Sequence, residues 1–220
     1  MKRNHLERPP RFYRSIQLHA FADASQDGFG AVLYLRLDSE AGVRVTFVMA
    51  KARVAPIHQL SVPRLELQAA LMSTRLVSFF LSETTLPIHA IFFWSDAITV
   101  LRWLNSSHRR YVAFVANRVA EILETSEISQ WRHVPGLLNP ADELSRGLFP
   151  AHLDAEHRWF SGPTFLALPS EDWPSTVVPH DETCEGEWIE SLKCARQPDR
   201  LTSSSGVAEI FIGSYESLPG

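Results

Sequence analysis

The stretch that most limits how this chain can fold runs from Ile88 to Ala97. Six of the seven residues Ile88-His89-Ala90-Ile91-Phe92-Phe93-Trp94 are apolar, as in a strand covered on both faces. Ser95-Asp96-Ala97 follows at once, so an acid sits where a buried strand ends and a helix begins. Three other acids hold comparable places: Asp23 in Phe21-Ala22-Asp23-Ala24-Ser25, Glu66 in Pro63-Arg64-Leu65-Glu66-Leu67, and Asp142 in Asn139-Pro140-Ala141-Asp142-Glu143.

The elements around these acids give a definite order. Ile16 to Asp23 alternates apolar and polar side chains, the period of a half-buried strand. Ser25-Gln26-Asp27-Gly28 is a turn, Phe29 to Leu37 a second strand, Asp38 to Gly42 a turn, and Val43 to Ala50 a third strand. Lys51 to Ser61 reads as a connection. Pro63 opens a helix, where its missing N–H costs nothing, and Leu65 to Leu81 is apolar on most faces. Ile88 to Trp94 is the fourth strand, Ala97 to Asn105 a short helix and Tyr111 to Glu124 a longer one. Ile128 to Val134 is the fifth strand, and Asn139-Pro140 begins a last helix. This predicts an α/β fold: a mixed five-stranded sheet, an antiparallel meander plus parallel strands, flanked by helices.

If the first and fourth strands lie side by side, Asp23 and Asp96 reach the same edge of the sheet, where ligands gather in such folds. Glu66 lies in the first turn of the intervening helix, and Asp142 starts a helix that closes the site from a third side. Four acids at one place repel without cations. Oxygen-only donors suit hard divalent ions, so the reading is two Mg²⁺, or Mn²⁺ in their place. Each acid taken singly has a simpler account as a helix-end or solvent-facing carboxylate; the inference rests on their joint placement.

Charge divides the chain. Residues 1–169 hold 18 Lys and Arg against 15 Asp and Glu, whereas residues 170–220 hold 3 against 10. With four acids committed to metal, the first part is distinctly basic, which suits a polyanion. The expected organisation is a basic arm over 1–15, an α/β domain carrying the four acids over 16–150, an extension packing on or near it over 151–174, and an acidic, disordered tail over 175–220. Cys184 and Cys194 both fall in that tail, so the core has no disulfide framework, and His180 with Cys184 makes no complete zinc set. No apolar run approaches the ~18 residues of a membrane span, and the basic N-terminus lacks a secretory apolar core. The expected setting is intracellular: cytoplasmic, not secreted.

The four acid-bearing segments, with Pro140-Ala141-Asp142-Glu143-Leu144-Ser145-Arg146 as the last, resemble the four motifs of ribonuclease H. More narrowly, the chain resembles the ribonuclease H region of Pao/BEL-type LTR retrotransposon polyproteins. The resembling stretches include Ala50-Lys51-Ala52-Arg53-Val54-Ala55-Pro56, Val62-Pro63-Arg64-Leu65-Glu66-Leu67, Phe114-Val115-Ala116-Asn117-Arg118-Val119 and Trp131-Arg132-His133-Val134-Pro135-Gly136. The likeness spans roughly residues 12–174. It implies a metal-dependent endonuclease cutting the RNA strand of an RNA–DNA hybrid, with Asp23, Glu66, Asp96 and Asp142 as ligands. A reverse transcriptase domain of the parent polyprotein is the implied partner. No reverse transcriptase motif lies within the chain, so it reads as a fragment, and the sequence leaves its oligomeric state open.

Candidate contacts to the nucleic acid are Ser25, Lys51, Arg53, Arg64, Ser95, Thr99, Arg109 and Arg110, the last two standing in for an absent basic protrusion. Ser95 has a second reading, as a helix cap. Many cellular ribonucleases H carry a histidine in the loop before the last acid. Here that loop is Gly136-Leu137-Leu138-Asn139-Pro140, and His133 lies on the preceding strand, where packing is the simpler role. Two further functions stand beside the nuclease. One is a silent or co-opted fragment that binds nucleic acid or a partner without cutting. The other is the aspartic peptidase implied by a Pao peptidase family label; it needs two proton-sharing aspartates in Asp-Thr/Ser-Gly loops, whereas Ala24-Ser25 follows Asp23.

Overall fold

In the computed structural model, residues 13–57, 60–106, 111–147 and 157–174 are described. Arg109 and Arg110, the arm up to residue 12, part of the 151–174 extension, and the tail with His180, Cys184 and Cys194 lie outside them. The elements are β1 (Tyr13–Ala24), β2 (Gly28–Ser39), β3 (Gly42–Val54), α1 (Val62–Glu83), β4 (Ala90–Ser95), α2 (Ile98–Asn105), α3 (Ala113–Thr125), β5 (Trp131–His133), α4 (Asp142–Arg146) and α5 (Arg158–Ser161). Five strands form one sheet in the order β3-β2-β1-β4-β5. β1 pairs antiparallel with β2 and β2 with β3, whereas β1–β4 and β4–β5 are parallel. The predicted mixed sheet, with its meander and parallel half, is therefore present, and β1 is its middle strand.

One face of the sheet carries the larger core. Leu18, Ala20 and Ala22 of β1, Leu33 and Leu35 of β2, and Phe93 of β4 pack under α1, α2 and α3, through residues such as Leu67, Ala70, Val77, Val100 and Ile122. A helix this apolar is stable because tertiary burial, rather than propensity, holds it.

The opposite face corrects the reading of β1 as half-buried. His19 and Phe21, on the side of β1 expected to be polar, are both 0% exposed. They are covered by the segment 157–174, which adds Trp159, Phe165, Leu166 and Trp173 to Phe21, Val32, Tyr34 and Trp94. Polar side chains of the sheet fasten this cover. The Tyr34 hydroxyl donates to the Trp159 carbonyl (2.8 Å), and Arg36 Nε donates to the Leu166 carbonyl (2.8 Å). The Trp173 ring has the Arg36 and Arg132 guanidinium groups each 5.6 Å from its centre. His19 accepts the Trp94 indole N–H at Nδ1 (3.1 Å) and stacks on Phe92. Burial, then the charges of Arg36 and Arg132, hold its pKa well below the usual value, so it is a neutral core residue.

Three element readings also change. Lys51–Val54 is not connection but the end of β3, paired with Gly28–Ala31 of β2. The fifth strand shrinks to Trp131–His133, because Ile128–Gln130 winds into a 3-10 turn in which the Gln130 side chain accepts the Glu127 N–H (2.7 Å). The last helix starts at Asp142 rather than Asn139, because the Asn139 carboxamide oxygen accepts the Ala141 N–H (3.1 Å) and shapes a turn there.

Candidate functional site

Strand pairing brings two of the acids together. The parallel register of β1 and β4 ends with Ala22 opposite Ser95, so Asp23 and Asp96 are the next residue on each chain. Past Ser95 the chain turns sharply: the Ser95 hydroxyl accepts the Ala97 N–H (3.1 Å), and the Ser95 carbonyl accepts the Val134 N–H (3.1 Å). Glu66 arrives from the second turn of α1, not the first as expected, because the helix already begins at Val62; α1 packs on β1 and β2. Asp142 is the first residue of α4, which sits against the same two strands. Gly30 makes that seating possible: a Cβ there would lie 2.8 Å from the Leu144 Cβ and 3.0 Å from the Lys51 carbonyl oxygen.

The carboxylates feel one another. Asp23 is 7% exposed, and its pKa is raised to about 7, chiefly by burial. The Ser145 hydroxyl, which donates to Asp23 Oδ2, opposes that rise, while Asp96 and Asp142 add to it. Glu66 is also raised to about 7, by burial and then by the charges of Asp96 and Asp23. Asp142 is paired with Arg146, whose Nε donates to its Oδ1 at 2.5 Å. That contact, with the nearby Asp23 and Asp96, raises the Arg146 pKa.

Several side chains that hold the acids were not expected from sequence. Asn139 is 0% exposed and donates through Nδ2 to the Ala22 carbonyl (3.0 Å) and to Asp96 Oδ1 (3.4 Å). It therefore ties the ends of β1 and β4 to the approach to α4. Ser145 holds Asp23, and the Ser25 hydroxyl donates to the Ser145 carbonyl (2.5 Å). Gly136 lets the chain pass close to Asp96, since a Cβ there would lie 3.1 Å from Oδ2. Asn139 had been visible only as a helix start, and Ser145 only within the resemblance to the last motif.

The candidate nucleic-acid contacts separate by position. Lys51 and Arg53 flank Ala52, which pairs with Gly30, itself paired with Asp23, so both lie at the acid-bearing end of the sheet. Arg53 is exposed and Lys51 half-buried. Thr99 is half-buried in the first turn of α2. Two others turn inward. Arg64 is 3% exposed, its guanidinium 4.9 Å from the centre of the Phe114 ring, so it packs between helices. Ser95 is 2% exposed and its hydroxyl braces the turn to α2. Ser25 likewise accepts the Asp27 N–H (3.1 Å) within its own turn. His133, half-buried, pairs with Ser95 in the β4–β5 register.

The donors fit a hard divalent cation in kind: all are carboxylate oxygens, and two hold their protons up to about pH 7 because burial disfavours their charge and the neighbouring carboxylates add to that. Their placement does not yet close around an ion. Among the described residues, no three Asp, Glu, His or Cys side chains stand close enough together to hold one, and Asp142 is engaged by Arg146. No helix among the described residues is long and apolar enough to cross a membrane.

Comparison with known proteins adds the following. Residues 1–97 match the family model of the Pao retrotransposon-like RNaseH-like domain, a span that includes Asp23, Glu66 and Asp96 but not Asp142. No curated protein matches the sequence. Similar solved structures include the N-terminal ribonuclease H domain of Rv2228c from Mycobacterium tuberculosis, fused to maltose-binding protein, at 14% identity over 60% of this chain and 92% of that one (TM-score 0.44). Ribonuclease H1 from the archaeon Halobacterium salinarum is 16% identical over 59% and 93% (TM-score 0.38). LC11 ribonuclease H1, solved in complex with an RNA/DNA hybrid, is 15% identical over 59% and 93% (TM-score 0.40). Likeness at this level transfers no residue roles.

Proposed function

From the match of residues 1–97 to the Pao retrotransposon-like RNaseH-like domain, we propose that this chain is a metal-dependent endonuclease that hydrolyses the RNA strand of RNA–DNA hybrids. The observation that carries the reading is the register at the sheet edge: Ala22 opposite Ser95 makes Asp23 and Asp96 neighbours, and Glu66 is electrostatically coupled to both.

Asp23, Glu66, Asp96 and Asp142 are the residues that would hold Mg²⁺ or Mn²⁺. When bound, such ions supply an activated water and charge stabilisation for phosphodiester hydrolysis. The chain's own groups prepare the site. Asn139 orients Asp96, Ser145 orients Asp23, and burial keeps competing water away from Asp23. Arg146 holds Asp142 beside the others and releases it when a cation competes for its carboxylate. Lys51 and Arg53 offer positive charge to the phosphates flanking the reacting one, with Thr99 as a polar contact. Recognition of a hybrid through groove shape and 2′-hydroxyls makes cleavage independent of base sequence. A reverse transcriptase of the parent polyprotein would supply the hybrid, within the cytoplasm or a retroelement particle.

A second reading, a domain that binds nucleic acid without cutting it, is favoured by one observation: the Asp142 carboxylate is already occupied by Arg146, which a cation would have to displace. Cleavage of a labelled RNA–DNA hybrid, with and without Mg²⁺, in wild type and Asp96→Asn separates the two. Mg²⁺-dependent cutting that falls to background in Asp96→Asn supports the nuclease. Equal background in both proteins, with hybrid still bound, establishes the silent domain instead.

A further inference from the structure

A five-residue helix and a three-residue 3-10 turn hold too few internal hydrogen bonds to fix themselves in space, yet both border the carboxylates. α4 begins with Asp142, and the turn Gly136–Leu138 begins at the glycine that passes beside Asp96. One guanidinium from a distant part of the chain joins them. Arg158 Nε donates to Glu143 Oε1 (2.6 Å), in the residue after Asp142, and Arg158 Nη1 donates to the Leu137 carbonyl (2.6 Å), in the residue after Gly136.

The environment makes this clasp hard to replace. The Glu143 side chain is 10% exposed, and its other oxygen, Oε2, is buried with no hydrogen-bond partner among the described residues. Without Arg158, a nearly buried carboxylate would be left uncompensated, and α4 would have to shift to rehydrate it. Arg158 is in turn anchored. It opens α5, and the next residue, Trp159, is 7% exposed and accepts the Tyr34 hydroxyl at its carbonyl (2.8 Å).

We propose that Arg158 is a positioning residue for the carboxylate site, locking the turn at Asp96 and the helix at Asp142 into one unit, so that the segment 157–174 is part of the cation-binding apparatus. This rests on the proposed reading of the four acids as metal ligands. A lysine reaches only one of the two acceptors, because the planar fork of arginine is what spans them.

The test uses the full 220-residue chain as wild type, Arg158→Ala, Arg158→Lys and the near-isosteric Glu143→Gln, with Asp96→Asn as control. Amide hydrogen exchange read by mass spectrometry reports the clasp, and calorimetric titration with Mg²⁺ alone reports the site. Arg158→Ala is expected to speed exchange roughly tenfold over residues 136–146, with α1 unchanged, and to weaken Mg²⁺ binding roughly tenfold, as for removal of a partner that orients a ligand. Arg158→Lys and Glu143→Gln fall between. Unchanged exchange over 136–146 overturns the inference. So does faster exchange with unaltered Mg²⁺ affinity, which would make Arg158 a structural clasp only. If wild type and Asp96→Asn take up Mg²⁺ equally, the metal reading itself fails and the inference falls with it.

Discussion

Asp23 is held by opposing forces: burial and the neighbouring carboxylates favour its proton, while the Ser145 hydroxyl favours its charge. With Glu66 also raised to about 7, both acids bind their protons more tightly in the folded chain than in the unfolded one. Without a divalent cation, the folded state should therefore lose stability as pH rises from about 4 to about 7, and regain none of it above. Asp23→Asn should then unfold at a temperature about 3 °C or more above wild type at pH 8 in chelator. Calorimetry that finds the variant less stable there would contradict the assignment. Cation uptake must displace these protons, so Mg²⁺ affinity should climb between pH 6 and 8 and flatten beyond, as a titration at several pH values would show. Ser145→Ala removes the one contact that lowers the Asp23 pKa, so its carboxyl should titrate still higher by NMR.

Among the elements, the short ones decide the site, and they were hardest to read from sequence. The long alternation of Ile16 to Asp23 and the apolar block up to Trp94 made β1, β4 and the placement of Asp23 beside Asp96 legible, because periodicity marks a strand even where, as in β1, both faces are buried. α4 has no such signal: five residues cannot show a helical period, and its position comes from Ser145, Arg158 and the space above Gly30. The burial of Arg64 was illegible for a related reason. An arginine beside an acid motif looks the same on paper whether it faces phosphate or lies across Phe114. The seating of α4 gives its own prediction. Gly30→Ala places a methyl group 2.8 Å from the Leu144 Cβ, between a helix and the Lys51 backbone, and should cost about 1–3 kcal/mol by overpacking. Chemical denaturation would measure that loss. Hybrid cleavage should fall more than the fraction unfolded accounts for, since α4 carries Asp142.

At the scale of the molecule, the sheet has two covered faces, and the second cover comes from beyond the last acid. The sequence suggested an extension packing on or near the domain but hid which face it covers, because His19 falls on the side of β1 that reads as polar; His19 and Arg36 are 0% and 6% exposed, beneath Trp173 and at the Leu166 carbonyl. Trp173→Ala should cost about 3–5 kcal/mol. A chain ending at Gly147 should bare Phe21, Val32 and Trp94 and bind a hydrophobic dye such as ANS, where the full chain does not. Tyr34, Arg36 and Trp173 bear on inheritance as well as on folding. A premature stop or frameshift that spares every acid, yet falls before Trp173, would leave one face of the sheet without its cover. A survey of which substitutions are tolerated should therefore find intolerance continuing well past Asp142, at positions that never approach the chemistry.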